Sequence, residues 1–179
     1  LPSHRDVTVH EYLDFFARAY HIRGEARRKT VEGVEEFTNL IGIRDKTLNA
    51  LSKGMKNRVS IARALVHDPP VLLMDEPLGA LDALTRETVQ ELILDVWHRT
   101  GKMVFFITHS VEEALFLATR LIVMSPSPGR ISHVYDDVPF SRRFLAHGDA
   151  RQVKSDPEFI RLREEVLALR RKVNGPEHP

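Results

Sequence analysis

The stretch VLLMDEP at residues 71–77 runs from four apolar residues directly into two carboxylates. Such a run, following Pro69 and Pro70, is typical of a strand that is buried on both faces of a sheet. Ligands of open parallel sheets bind beyond the carboxyl ends of the strands, which is where Asp75 and Glu76 lie. The stretch therefore predicts a buried strand with an acidic site at its end.

Downstream of this strand, apolar runs of strand length alternate with stretches of helical periodicity. Strand–helix–strand–helix–strand order implies right-handed crossovers and a parallel sheet. The predicted order is a strand at 71–74, a helix at about 85–99 that Gly101 ends, a strand at 103–107, a helix at about 111–118, a strand at 121–124, an antiparallel edge strand in RISHVY at 130–135 and a helix at about 156–173.

Upstream, residues 1–67 are predicted to be helical throughout. Thr8 and Glu11 form a capping box at the start of the first helix. A second helix is predicted at about 27–41, with Gly42 as its C-terminal stop, and a third at about 52–67, before the prolines. Three regions follow: a helical subdomain at 1–67, the parallel-sheet part at 68–139 and a C-terminal helical tail at 140–179.

The bulk composition is that of an ordinary globular domain. The chain has 179 residues, a formal net charge of +1 and no cysteine. The charge is too small to indicate binding to nucleic acid or a membrane surface, and the absence of cysteine excludes disulfides and thiol nucleophiles. No apolar run approaches the roughly 18–20 residues needed to span a bilayer. The composition is compatible with a soluble globular core.

Further candidate site residues lie in three other stretches. LSKGM at 51–55 begins a helix whose first N–H groups and Ser52 hydroxyl can bind phosphate oxygens, and Gly54 allows close backbone approach. His109 follows the second strand, where it can contact a terminal phosphate. Alone, Ser52 is better explained as a helix N-cap, and strand-end polar groups often simply meet solvent. Their combination in one order, completed by GALD at 79–82, is far more specific.

The order LSKGM…RVSIARAL, VLLMDEP, GALD and ITH resembles the ATP-binding cassette (ABC) ATPases, the motor subunits of ABC transporters, over nearly the whole chain. The resemblance implies an α/β fold, a partial P-loop NTPase in which a helical subdomain is followed by a parallel-sheet half and a C-terminal helix. It also implies ATP hydrolysis coupled to transport, with ATP and Mg²⁺ as cofactors.

The resemblance assigns roles residue by residue. Glu76 would be the catalytic base, Asp75 the Walker B aspartate that holds Mg²⁺ through water, and His109 the catalytic switch histidine. LSKGM would be the family signature, which binds the nucleotide of a second subunit, and GALD would be the D-loop. The signature residues are Ser52, Lys53, Gly54 and Met55, of which Lys53 and Met55 depart from the commoner LSGGQ, and the D-loop residues are Gly79, Ala80, Leu81 and Asp82.

The implied partners are transmembrane permease subunits, contacted by the helical subdomain, a second ATPase subunit and a solute-binding protein, but no nucleic acid. The implied location is the cytoplasmic face of the cell membrane, as a peripheral protein. Residues 75–131 and the tail around 155–171 resemble importers of nitrate, sulfonate or taurine, whereas residues 6–20 and 51–65 are more similar to exporter ATPases. Because the C-terminal match is longer, an importer is the leading interpretation.

Two further interpretations remain open. The chain could be a non-hydrolysing remnant that acts only as an interaction module. It could also derive from ABC-type ATPases of DNA repair or translation, although the insertions usual in that class are not present.

A phosphate-binding loop is not found in the sequence. The motif would read G-x-x-x-x-G-K-[ST], yet the one Gly-Lys pair, Gly101-Lys102, precedes Met103 and lacks the first glycine. We therefore expect that the loop lies upstream of Leu1 and that this chain alone binds ATP weakly and does not hydrolyse it. The missing strands are expected to leave the parallel sheet with an open, apolar edge.

Overall fold

The computed structural model describes residues 7–174, which form two compact units. The first comprises residues 7–92 and 101–105, and the second comprises residues 93–100 and 106–174. In chain order the elements are α1 (Val9–Ala19), α2 (Gly24–Phe37), α3 (Lys53–Leu65), β1 (Val71–Asp75), α4 (Ala83–Thr100), β2 (Met103–Ile107), α5 (Val111–Leu117), β3 (Leu121–Met124), β4 (Ile131–Tyr135), α6 (Phe140–His147), α7 (Ala150–Lys154) and α8 (Pro157–Asn174).

The N-terminal helices of the first unit pack around a single apolar core. Thr8 and Glu11 form the predicted capping box, with the Thr8 hydroxyl accepting from the Glu11 N–H at 3.2 Å. Val9, Leu13 and Ala17 lie on the buried face of α1, as helical spacing requires. They meet apolar residues of α2, α3 and the intervening turns, namely Val31, Leu40, Leu51, Val59, Ala62 and Val66.

The second helix differs from its prediction at both ends. It spans Gly24–Phe37 rather than 27–41, and Gly42 lies in a short 3₁₀ turn, Ile41–Ile43. Asn39 takes the left-handed conformation that ends the helix, with a φ of +54°. The prediction of Gly42 as the C-terminal stop was therefore wrong, and Ile41 is 53% exposed.

The central strands form a parallel pair. β1 and β2 make a two-stranded sheet and α4 connects them, as the crossover pattern predicts. Gly101 ends α4 in the left-handed conformation, with a φ of +63°. Burial alternates along β1, where Leu72 and Met74 are buried while Leu73 is 69% exposed.

The predicted burial of this strand on both faces was therefore wrong. Met103 and Phe105 of β2 are also exposed, at 63% and 53%. The open apolar surface of the first unit is thus the exposed sheet face, formed by Val71, Leu73, Met103 and Phe105. A sequence pattern gives the apolar character of a strand but not what covers it.

The second unit contains an antiparallel hairpin. β3 pairs with β4, with Leu121 opposite Tyr135 and Ile122 opposite Val134. β4 is the antiparallel strand predicted from RISHVY. β3, however, joins β4 alone and not the parallel sheet predicted from three successive strands. The turn after β3 returns the chain onto that strand, so backbone pairing is satisfied locally.

Helices of the C-terminal tail complete the core of the second unit. Phe140 and Phe159 meet edge to face at 4.8 Å between ring centroids, and Phe116 and Phe144 do so at 5.3 Å. α8 spans Pro157–Asn174, close to its predicted range. The Tyr135 hydroxyl donates to Glu165 at 2.9 Å, and burial together with this bond raises the pKa of Tyr135 to about 12.

Within residues 7–174, no helix combines the length and apolar character that crossing a membrane requires.

The two compact units divide the chain at different points from the three regions predicted at 1–67, 68–139 and 140–179, and those regions stay predictions.

The alternation in β1 gives a direct test of the exposed sheet face. Leu72→Ala should lower the free energy of unfolding by about 2–5 kcal/mol, because it opens a cavity in the core. Leu73→Ala should change it by less than about 0.5 kcal/mol, because that side chain leaves no cavity. Urea unfolding of both variants measures the difference, and equal losses would mean that Leu73 is covered in solution.

Candidate functional site

The signature stretch forms the start of α3. Ser52 is the N-cap, and its hydroxyl oxygen accepts from the Met55 N–H at 3.3 Å. The hydroxyl hydrogen is still able to donate to a further acceptor. Ser52 and Lys53 are exposed and Met55 is half-buried. The predicted cap is thus present, at the exposed residue Ser52.

Gly54 lies at a close contact between the starts of α3 and α4. It is buried, and a Cβ placed on it would lie 2.2 Å from Cγ2 of Thr85. Thr85 belongs to the first turn of α4, so the two helix starts are in close contact at this point. The glycine therefore permits the close approach of a side chain of the same chain.

The acidic pair lies at the end of β1 as predicted. Asp75 is the last residue of the strand, and both Asp75 and Glu76 are exposed. Glu76 has a φ of +43°, in the left-handed region. That conformation costs a non-glycine residue about 1–3 kcal/mol and persists only where surrounding contacts hold it. Such strain concentrates at functional sites.

The predicted D-loop is a pair of turns that leads into α4. The Glu76 carbonyl accepts from the Gly79 N–H at 3.3 Å, and the Leu78 carbonyl accepts from the Leu81 N–H at 3.1 Å. Leu81 is buried, whereas Gly79, Ala80 and Asp82 are exposed.

Asp82 caps the start of α4. Its Oδ1 accepts from the Thr85 N–H at 3.0 Å. Hydrogen bonds from the side chain and then the backbone of Thr85 lower the pKa of the Asp82 carboxyl. The same threonine therefore contacts both Gly54 and Asp82.

Two residues that sequence reasoning missed tie these parts together. The Asn57 side-chain amide donates to the Pro77 carbonyl, and the Arg86 Nη2 donates to the Leu81 carbonyl at 2.9 Å. Asn57 follows Gly54 by one helical turn, so a polar residue at this spacing was the available signal. Within the first unit, the signature, the acidic pair and the D-loop are thus one connected group.

His109 belongs to the second unit, where it is exposed between β2 and α5. The adjacent Thr108 hydroxyl donates to Glu113 at 2.7 Å, and Ser110 caps α5. Nη1 of Arg170, in the last turns of α8, donates to the His109 carbonyl at 2.8 Å. The C-terminal helix therefore helps to hold the backbone of the predicted switch residue.

Lys102 of the Gly101-Lys102 pair forms an ion pair with Asp68. The Lys102 ammonium lies 2.6 Å from Asp68 Oδ1, and its side chain is 10% exposed. This contact agrees with the sequence, which gives the pair no phosphate-loop context.

Among the described residues, no three metal-ligating side chains converge on a metal-binding geometry. Mg²⁺ commonly keeps several waters and takes few protein ligands. One exposed carboxylate, that of Asp75, therefore fits a role in which it holds the ion through water.

Comparison with protein families gives a consistent result. Residues 3–79 match the family described as ABC transporter. Taurine import ATP-binding protein TauB of Rhizobium johnstonii is 50% identical over 161 residues, which are 88% of this chain and 61% of that protein. The chain is therefore similar to the ATP-binding subunits of ABC transporters over most of its length. The TauB protein of Pelagibacter ubique is 48% identical over 166 residues, which are 91% of this chain and 61% of that protein.

Solved ABC ATPases share the fold. The structure of cbiO1 from Clostridium perfringens, part of the ABC transporter complex cbiONQ, matches with a TM-score of 0.69 at 24% identity, covering 90% of this chain and 62% of that one. A dimeric ATP-binding cassette in a post-hydrolysis state, bound to ADP and Pi, matches with a TM-score of 0.59 at 30% identity, covering 73% of this chain and 57% of that one. The P-loop NTPase fold class is thereby confirmed.

The chain spans about three fifths of the two TauB proteins, 61% of each. Both of these relatives are named as import proteins. The exporter interpretation, which rested on the N-terminal stretches, therefore finds no support among them.

The close contact between Gly54 and Thr85 can be tested without a ligand. Gly54→Ala should lower the free energy of unfolding by about 1–3 kcal/mol, because the new Cβ overlaps Thr85. The sign of the change in stability is informative. Alanine forms helices better than glycine by about 1 kcal/mol, so without the overlap the substitution would raise stability. Thermal unfolding of the 179-residue chain measures the effect.

The matched control is Gly33→Ala on α2, where a Cβ would meet nothing within 4 Å and stability should rise slightly. Adding Thr85→Ser to the Gly54 variant removes the overlapping methyl and should restore stability. A Gly54 variant as stable as the parent would contradict the close contact.

Proposed function

We propose that this chain is the larger part of an ATP-binding and ATP-hydrolysing subunit of an ABC importer, whose cargo is taurine or a related sulfonate. The observation that carries the proposal is the 50% identity to a taurine import ATP-binding protein over 88% of the chain. It is supported by the turn that begins at Glu76, because backbone strain at a predicted catalytic base is typical of functional sites.

In the proposed mechanism Glu76 accepts a proton from the attacking water as general base. Asp75 would hold a Mg²⁺ ion through water, and the ion would neutralise phosphate charge. His109 donates a hydrogen bond to the terminal phosphate. Each of these residues is exposed in this chain.

The signature would act on the ATP of a second subunit. Ser52 and Lys53 are exposed at the start of α3, and the Ser52 hydroxyl and the Lys53 N–H would donate to phosphate oxygens. Lys53 adds a positive charge at the same helix start, where the commoner signature has glycine. Met55 extends the contact surface, and Gly79 to Asp82 would meet the partner subunit as D-loop.

The remaining partners are proposed to be permease subunits and a solute-binding protein, with the ATPase at the cytoplasmic face of the membrane. The N-terminal helices carry exposed apolar side chains, Phe15 at 63% and Ile41 at 53%. The resemblance assigns the permease contact to the helical subdomain, and we propose that a cytoplasmic segment of the permease covers these two side chains.

Glu76 is tested in a hybrid in which this chain replaces the matching segment of the Rhizobium johnstonii TauB protein. Glu76→Gln should lower ATP hydrolysis about 100-fold or more, because the amide cannot accept a proton. ATP binding, measured by calorimetry with Mg²⁺, should persist. Glu87→Gln, an exposed glutamate on α4, is the control and should hydrolyse ATP like the parent. Near-normal hydrolysis in the Glu76 variant would remove this residue from its role.

The permease surface is tested by cysteine crosslinking, since this chain has no cysteine of its own. In a cysteine-free version of the hybrid assembled with its transporter, Phe15→Cys and Ile41→Cys should crosslink to a permease subunit. Ile160→Cys, an exposed position on α8, is the comparison and should not. Crosslinks from Ile160→Cys alone would show that the assignment of the docking surface is wrong.

A further inference from the structure

The side chain of Asn57 joins two segments that lie far apart in the sequence. Asn57 is on α3, and its amide donates to the carbonyl of Pro77, twenty residues further along the chain. The side chain is half-buried, and both segments belong to the first compact unit. The bond therefore links the signature helix to the turn that directly follows Glu76.

That turn needs support from outside itself. Glu76 has a φ of +43°, which a non-glycine residue adopts only when its surroundings impose it. Two bonds within the turn, from Gly79 N–H to the Glu76 carbonyl and from Leu81 N–H to the Leu78 carbonyl, are local. The Asn57 bond comes from another element, so it fixes where the turn lies with respect to α3.

A second contact fixes the far end of the same segment. Gly54 lies on the same face of α3 as Asn57, and it is in close contact with Thr85. Thr85 in turn donates its N–H to Asp82. The face of α3 therefore contacts the segment 76–85 both after Glu76 and at the start of α4.

We propose that Asn57 is a positioning residue that holds the turn carrying Glu76 against the signature helix. This inference rests on the proposed function, in which Glu76 is the general base and α3 contacts nucleotide. A shift of α3 on nucleotide contact is then transmitted to the backbone of Glu76 through one amide. If the Asn57 amide served only to satisfy the Pro77 carbonyl, losing it would lower stability. The rate of ATP turnover per folded molecule would then stay unchanged.

The first test measures the turn directly, in the full 179-residue chain. Asn57→Asp keeps the size of the side chain but replaces the donor with an acceptor. Hydrogen exchange at the Gly79 and Leu81 amides should become about 5- to 10-fold faster, as expected for one lost hydrogen bond. Asn57→Gln retains the donor and should restore most of the protection. Lys56→Ala, an exposed neighbour, should leave both amides unchanged.

Exchange at the Leu13 amide, in the helical core, reports global opening. If exchange at Leu13 became faster by the same factor as exchange at Gly79 and Leu81, in both Asn57→Asp and Asn57→Ala, the proposal would be overturned. The effect would then be destabilisation of the whole fold. Unchanged exchange at Gly79 and Leu81 would overturn it as well.

The second test measures catalysis in the hybrid defined for the Glu76 test, assembled with its transporter. Asn57→Asp should lower kcat for ATP about tenfold or more, since small misplacement of a catalytic group is costly, while KM changes less than about twofold. Asn57→Gln should recover most of kcat. A rise in KM with unchanged kcat would overturn the positioning role. If the Glu76→Gln hybrid turned over like its parent, the proposed function would fail while the exchange result still decided the role of Asn57.

Discussion

Contact between one face of α3 and the segment that follows β1 is the constraint on which the candidate site depends. Gly54 has no room for a Cβ against Thr85, so this glycine sets the separation of the two helix starts. One turn further on, Asn57 bonds to the Pro77 carbonyl and fixes the position of the turn. The start of α3 and the acidic end of β1 are thereby held together as one body. In the arrangement that the family resemblance implies, each of the two would contact a different nucleotide.

Much of the local structure could be predicted because its determinants lie within a few residues of each other. The Thr8–Glu11 capping box closes across three residues, and Gly101 ends α4 through its own left-handed backbone. The candidate site residues could also be placed from the sequence, the carboxylates at a strand end and Ser52 at a helix start, because strand and helix limits follow local patterns. Their assigned roles remain predictions.

The remainder depends on contacts between distant residues, which sequence patterns do not encode. Asn39 rather than Gly42 ends α2, because the chain already turns at that point to bring Leu40 into the core. The apolar run of β1 gave no sign that Leu73 would lie on an open face. Neither the left-handed backbone of Glu76 nor the bond from Asn57 could be predicted, since each follows from how α3 packs on the turn.

The C-terminal helix α8 has more than a packing role in the second unit. Phe159 and Val166 place it in the core, while Arg170 donates to the carbonyl of His109. A hydrogen bond to the main chain fixes the loop through its backbone rather than through the imidazole ring. Because the bond is exposed, its contribution to folding is small. The bond nonetheless connects α8 directly to the backbone of a predicted catalytic residue.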